Sequence, residues 1–252
     1  MMSNEPQFGV RPPLILAIET ATRTGSVSVA RGEKVLASIS GDPSSSHSTD
    51  LIENVNAVLR DAGAALNAVE VFAAAIGPGS FTGLRIGLTT VKSFAVALNR
   101  QCAPVPTLAA VAYAAGKSER TVALLPAGRG EVFAQMFSVA DNVERLDEPS
   151  HISPVQLIAK YGAHPRVLWT GEGAHIQGDM LRQAAAKAGF PFGGNETLNA
   201  SNGWMIGSPQ DKLANAVAML AMQQWREGLL VEPEDLRANY VRASDAEIKS
   251  NV

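Results

Sequence analysis

A glycine-rich turn between an apolar run and a helical pattern is the feature that most constrains the fold of this chain. Residues 71–76 read VFAAAI, and residues 77–92 continue as GPGSFTGLRIGLTTVK. A strand that passes through a glycine turn into a helix leaves backbone N–H groups pointing one way, and the helix dipole adds positive potential there. The sequence therefore predicts an anion-binding corner at Gly77, Gly79 and Ser80.

Two familiar nucleotide motifs do not match this turn. A Walker loop requires GxxxxGK followed by Ser or Thr, whereas Leu84 and Arg85 follow Gly83. A dinucleotide fingerprint needs an acidic residue about 20 positions further on. No Asp or Glu occurs between residues 71 and 118. A purely structural turn, whose glycines only let helix and strand pack closely, stays open as the alternative.

Length and charge limit what the chain can do. Its 252 residues suit one large domain or two smaller ones. A formal net charge of −3 argues against a chain that grips nucleic acid by itself, because phosphate neutralisation needs clustered Lys and Arg. The acid-free stretch 71–118 is nevertheless locally positive through Arg85, Lys92, Arg100 and Lys117.

The single cysteine and the amino-terminal sequence indicate a compartment. Cys102 has no partner for an intrachain disulfide, which is typical of a reducing environment. Residues 1–13 are polar and proline-containing, and the first apolar run, residues 14–18, is too short for a signal sequence or a membrane span. We therefore expect a disordered extension over residues 1–13 and a cytoplasmic protein.

Hydrophobic periodicity places a similar order of elements twice along the chain. The first series is strands at 14–18, 26–30 and 34–40, a helix at 48–62, a strand at 71–76 and a helix at 82–98. The second is strands at 121–125 and 131–138, a helix at 154–161, a strand at 167–170 and helices at 176–188 and 208–227, the last with Ser208 as N-cap. The repetition predicts a duplicated α/β unit, with domains over 14–106 and 107–232 and a tail over 233–252.

Two helices of the first half carry faces that must be covered. In the helix at 48–62, Leu51, Val55 and Leu59 belong to one apolar face. The helix at 82–98 has an apolar stripe and, on its other side, small or weakly polar residues that include Thr89 and Ser93. Such a helix is buried on two sides, by its own sheet and by either another subunit or another part of the same chain.

Several segments, taken in order, resemble the TsaB (YeaZ) family. They read AIETATRTGSVSVA, HSTDLIENVNAVL, GPGSFTGLRIGLTTVK, GRGEVFAQMF, GEGA and NYVRASDAE, and they extend over about residues 14–245. GPGSFTGLRIG is the most specific of these segments. The resemblance implies the α/β fold of actin, sugar kinases and Hsp70 (the ASKHA fold), with two tandem ribonuclease-H-like domains whose mixed sheets are flanked by helices.

The resemblance also implies a scaffold role without catalysis. TsaB-like proteins pair with their paralogue TsaD, which transfers threonylcarbamoyl to the adenosine next to the tRNA anticodon, and TsaE is a further partner. The implied interface with TsaD, called the seam below, packs the helices 48–62 and 82–98 against their counterparts in TsaD. Its residues in this chain are Leu51, Val55, Leu59, Phe81, Arg85, Thr89, Lys92, Ser93 and Val96. Without TsaD, the same surface is expected to form a homodimer. Transfer RNA is expected to bind only to the complex.

The same resemblance indicates where chemistry is missing. TsaD-like chains carry an HxxxH metal site shortly after the glycine motif, and Thr107 and Val111 stand at the matching positions here. Neither side chain offers an imidazole nitrogen, so we expect no metal site and no catalytic residue in this chain.

A nucleotide site is the remaining possibility within this fold. The wider fold holds phosphates in the loop after its first strand, where this chain has Glu19, Thr20, Gly25 and Ser26. The resemblance implies no required cofactor, with ATP or ADP and Mg²⁺ at the partner interface as an open alternative. Two enzymatic alternatives are an ATPase or kinase that uses the Glu19 loop and a glycoprotease-like peptidase. The peptidase is disfavoured because neither HExxH nor GxSxG occurs.

Overall fold

A computed structural model describes residues 11–42, 44, 47–193 and 202–241 of the chain. Residues 1–10 of the predicted extension and residues 242–252 of the predicted tail lie outside the described residues. Within the described residues, no helix is both long enough and apolar enough to cross a membrane.

Strands and helices follow one another in the order that the periodicity predicts, with additional short elements. The strands are β1 Leu14–Glu19, β2 Ser26–Arg31, β3 Lys34–Ser40, β4 Val71–Ala75, β5 Gln101–Val105, β6 Ser118–Gly128, β7 Glu131–Val139, β8 Val143–Arg145, β9 Ser150–Ile152, β10 Arg166–Thr170, β11 Phe192–Gly193 and β12 Gly203–Ile206. The helices are α1 His47–Asp61, α2 Phe81–Leu98, α3 Thr107–Ala114, α4 Pro154–Tyr161, α5 Glu172–Ile176, α6 Gly178–Ala188 and α7 Leu213–Glu227. Short 3₁₀ turns cover Leu66–Ala68 and Pro233–Asp235.

The two halves contain sheets of matching topology. In the described part of the chain, the first sheet has the strand order β3-β2-β1-β4-β5 and the second the order β11-β12-β10-β6-β7-β8, with β9 also paired to β7. In each sheet an antiparallel hairpin, β1–β2 or β6–β7, is followed by parallel strands, first β4 or β10 and then β5 or β12. The predicted duplication of a mixed α/β unit is therefore confirmed.

The burial of β1 follows from its uninterrupted apolar sequence. Leu14 and Leu16 point into a core shared with α1 and α2, whereas Ile15 and Ala17 point into a second core on the opposite face of the sheet. A strand covered on both faces needs apolar residues at consecutive positions, because successive side chains alternate between the faces.

Helices α3 and α7 fill the space between the two sheets. Helix α7 packs on β1 and β2 of the first sheet, α3 packs on β6 and β7 of the second, and the two helices contact each other. The last long helix of the chain thus returns to the first sheet, although chain order places it after the second one. The domain boundaries remain a prediction, but the central core draws residues from both halves, such as Ala17 and Leu125.

Two details of the sequence-based prediction are wrong. Residues 101–105, where the periodicity predicted no strand, form strand β5, and Pro104 is tolerated because β5 lies at the edge of the five-stranded sheet. Helix α7 begins at Leu213 rather than at Ser208. Near the start of this helix, the backbone N–H of Ala214 donates a hydrogen bond to Ser26 Oγ at 2.9 Å. A serine on β2, rather than Ser208, therefore caps the helix.

Candidate functional site

The glycine-rich turn is packed against the loop that follows β1. A Cβ on Gly83 would overlap the carbonyl oxygen of Thr20, and a Cβ on Gly79 would lie 2.5 Å from the carbonyl oxygen of Ala21. Thr20 Oγ1 also donates to the Gly83 carbonyl oxygen at 2.7 Å. The glycines therefore allow backbone to approach backbone, and they bring the two halves of the predicted phosphate site together.

Several N–H groups of the predicted anion corner already have partners within the chain. The Ser80 N–H donates to the Ala21 carbonyl at 2.8 Å, and the Gly83 N–H donates to Ser80 Oγ at 3.2 Å. The Gly77 N–H donates to Thr107 Oγ1 at 3.0 Å. These bonds favour the structural role that the sequence left open for the turn, and phosphate binding there stays a prediction.

The end of β1 and the loop that follows it are acidic as well as polar. Glu19 is 1% exposed. Its carboxylate accepts one hydrogen bond from the backbone N–H of Thr22 at 2.7 Å and another from the hydroxyl of Thr22 at 2.8 Å. The adjoining cavity, of about 10 Å³, has room for about one water molecule. Its lining includes Glu19, Thr20, Gly25 and Ser26, together with Asp42 and Asp50. Negative charge around so small a space opposes a phosphate unless a cation lies between them.

The positions that match the histidines of the TsaD-like metal site are occupied by buried residues. Thr107 is fully buried at the start of α3, where its hydroxyl accepts the Gly77 N–H. Val111 is also buried, and its Cγ1 lies close to Gly171. Among the described residues, no group of three or more His, Cys, Asp and Glu side chains is arranged to hold a metal ion.

The single cysteine is part of the first core. Cys102 is fully buried in β5, and this burial raises the pKa of its thiol from 9.0 to about 11. A thiol that keeps its proton is a poor nucleophile, so the structure gives Cys102 a packing role.

Three of the residues predicted for the partner seam belong to the interior of this chain. Leu51, Val55 and Leu59 are between 2% and 6% exposed and pack against the first sheet. The apolar face of α1 is thus used to cover its own sheet, which corrects their assignment to a partner surface. On its outer side, α1 presents Ile52, which is 50% exposed.

The remaining seam residues are accessible on α2. Arg85, Thr89, Ser93 and Val96 recur every three or four residues, so they form one exposed stripe along the helix, and Val96 is 68% exposed. The hydroxyl of Ser93 donates to the Thr89 carbonyl of the same helix at 2.8 Å. A partner could therefore cover this hydroxyl without leaving its O–H donor unpaired.

One residue beside this stripe was missed by the sequence analysis. The ring of Tyr240, in the segment after α7, packs on the ring of Phe81 with 5.2 Å between centroids. On α2 itself, the guanidinium of Arg85 lies 3.8 Å from the Phe81 ring centre. Because Tyr240 follows Phe81 by more than 150 positions, no local pattern relates the two rings.

The architecture and the site together define a class of protein: a chain of two mixed α/β sheets with matching topology, flanked by helices, that carries an exposed stripe on helix α2. A family model described as "TsaD: tRNA N6-adenosine threonylcarbamoyltransferase" matches residues 41–243. A solved structure of YeaZ from Pseudomonas aeruginosa has the same fold, with a TM-score of 0.71, 24% identity and coverage of 90% of this chain and 99% of that one.

Curated relatives agree with this match. The protein TsaB of Haemophilus influenzae is 32% identical over 123 residues, which are 47% of this chain and 51% of that protein. TsaB of Escherichia coli is 33% identical over 122 residues, or 47% and 52%, and TsaB of Bacillus subtilis is 25% identical over 179 residues, or 70% and 78%. The chain thus spans about half the length of two of these three relatives. It belongs to the family that the matching model describes, and within that family to the TsaB (YeaZ) type.

Proposed function

We propose that this chain is a non-catalytic subunit in the synthesis of threonylcarbamoyladenosine in tRNA. In this role it pairs with TsaD, which carries out the transfer to the adenosine next to the anticodon. The curated relatives are named for the biosynthesis of this nucleoside, and the matching family model is named for the transferase. Thr107 and Val111, at the positions of the transferase metal site, argue that the chemistry belongs to the partner.

The exposed stripe of α2 is the observation that carries this proposal. A helix that covers its own sheet with one face and presents Thr89, Ser93 and Val96 on the other suits close packing against a second helix. The exposed side chain of Ile52 gives α1 an apolar contribution to the same seam. A stable pairing of this kind buries about 1,600 Å² in total.

Other parts of the proposal concern the assembly. When TsaD is missing, the α2 stripe binds the same stripe of a second copy of this chain and forms a homodimer, since a symmetric dimer uses the same patch of both copies. TsaE and tRNA join through the complex with TsaD. No cofactor is required by this chain in that role.

Charge placed on the stripe tests the pairing. Thr89→Asp and Ser93→Asp each put a carboxylate where a partner helix would exclude water, and an unpaired buried charge costs several kcal/mol. We expect each variant to weaken binding to the TsaD of the same organism by at least about a hundredfold, measured by co-purification and calorimetric titration.

Ala186→Asp is the matched control, because Ala186 is an exposed position on helix α6 of the second half. It is expected to bind TsaD like the wild type. Wild-type affinity in both stripe variants would show that α2 is not the seam.

A further inference from the structure

We propose that Tyr240 and Arg85 form an anchor at one end of the α2 stripe, and that this anchor receives a carboxylate-bearing helix face of the partner. The inference rests on the proposed function, since the partner is TsaD. It adds a tail residue to the seam and assigns a charge to the surface that covers it. Four observations on the described residues support it.

The first observation is the charge of α2. The helix carries Arg85 and Lys92 and contains no Asp or Glu, and Arg100 follows its last turn. Neither Arg85 nor Lys92 forms an ion pair with any residue that the structure describes. Cations left unpaired beside an apolar stripe favour a covering surface of opposite charge, which also excludes partners of the wrong charge.

The second observation is the geometry of the aromatic contact. The Arg85 guanidinium lies over the Phe81 ring, and Tyr240 packs on the same ring. Stacking on an aromatic face holds a guanidinium in place while leaving the N–H groups at its edge free for two parallel bonds to a carboxylate. Arg85 is therefore oriented before a partner arrives, which lowers the entropy lost on binding.

The third observation is the way in which the segment after α7 holds Tyr240. Val231 and Cys102 exchange backbone hydrogen bonds of 2.8 and 2.9 Å at the open edge of β5. Leu236 is completely buried in the first core, and the Asn239 N–H donates to the Ile76 carbonyl at 2.7 Å. The segment is thus fixed at three points before it reaches Tyr240, so this ring belongs to a defined surface.

The fourth observation is the exposure of the anchor. Tyr240 is 48% exposed although one side of its ring is covered by Phe81, so the other side faces outward. Tyr and Arg are among the residue types that most often dominate the binding energy of protein interfaces. An apolar side chain on the Tyr240 ring and a neighbouring carboxylate at Arg85 would satisfy both groups.

Titration of the full chain with TsaD at low and high salt tests the anchor. We expect Tyr240→Ala to raise the dissociation constant at least about tenfold and Tyr240→Phe to keep it within about threefold, because the phenyl ring carries the contact. Arg85→Gln should raise it at least about tenfold at low salt, and the binding of this variant should depend less on salt than that of the wild type.

The controls are chosen for matching chemistry elsewhere in the chain. Arg182 stacks on Phe192 in the second half, so Arg182→Gln removes a comparable stacked cation. Leu229→Ala removes an exposed apolar side chain at the start of the segment after α7. Both are expected to bind within about twofold of the wild type, and thermal unfolding of each variant verifies that it is folded.

Three results would overturn the inference: wild-type affinity in folded Tyr240→Ala, wild-type salt dependence in Arg85→Gln, or an effect of these changes on self-association but not on TsaD binding. If Thr89→Asp still blocks binding in any of these cases, only the anchor is wrong. If Thr89→Asp and Ser93→Asp also bind normally, the seam of the proposed function fails with it.

Discussion

At the scale of single residues, the motif that looks like a phosphate loop is a place where two backbone segments touch. Gly83→Ala would push a methyl group into the Thr20 carbonyl, and the loop after β1 would have to move away from α2. We expect this substitution to lower the free energy of unfolding by about 1–3 kcal/mol, as overpacking of a tight contact does. Urea denaturation measures the change.

Gly178→Ala is the companion measurement, because an added Cβ there meets only Ile206 Cδ1 at 3.5 Å, an ordinary contact. Its stability should stay within about 0.5 kcal/mol of the wild type. Equal losses of unfolding free energy in the two variants would mean that close approach at Gly83 is not what the motif provides.

The glycine pattern predicted the turn, but it could not predict the contact, because Thr20 and Gly83 are 63 positions apart.

At the scale of elements, the start of helix α7 depends on Ser26, a serine on strand β2. Ser26→Ala removes the oxygen that accepts the Ala214 N–H and leaves that group buried without a partner. The expected cost is about 1 kcal/mol of unfolding free energy, typical of a lost N-cap. Ser208→Ala, at the exposed position that the sequence suggested as the cap, should leave stability unchanged.

A larger loss of unfolding free energy for Ser208→Ala than for Ser26→Ala would contradict this assignment.

The helix boundaries also show what periodicity can predict. Helices at 48–62 and 82–98 were placed within one residue of His47–Asp61 and Phe81–Leu98, because their apolar spacing is local information. The cap of α7 was misplaced because its partner lies 188 positions earlier.

At the scale of the whole molecule, the duplicated order of elements was sufficient to predict two related α/β units. Periodicity identified the apolar face of α1 and the existence of α7, but not what covers either helix. Leu51 was assigned to a partner and packs on its own sheet, and α7 was assigned to the second half and packs on the first. A face that is apolar looks the same in sequence whether a sheet, a helix or another chain buries it.

The central claim, that this chain supports TsaD without catalysing the transfer itself, is tested most directly by reconstitution. TsaD and TsaE of the same organism are supplied with the threonylcarbamoyl donor and unmodified tRNA, and threonylcarbamoyladenosine is measured with and without this chain. We predict product only when both TsaD and this chain are present, with a yield lowered by Ser93→Asp and unaffected by Ala186→Asp. Equal product from TsaD without this chain, or product from this chain without TsaD, would contradict the claim.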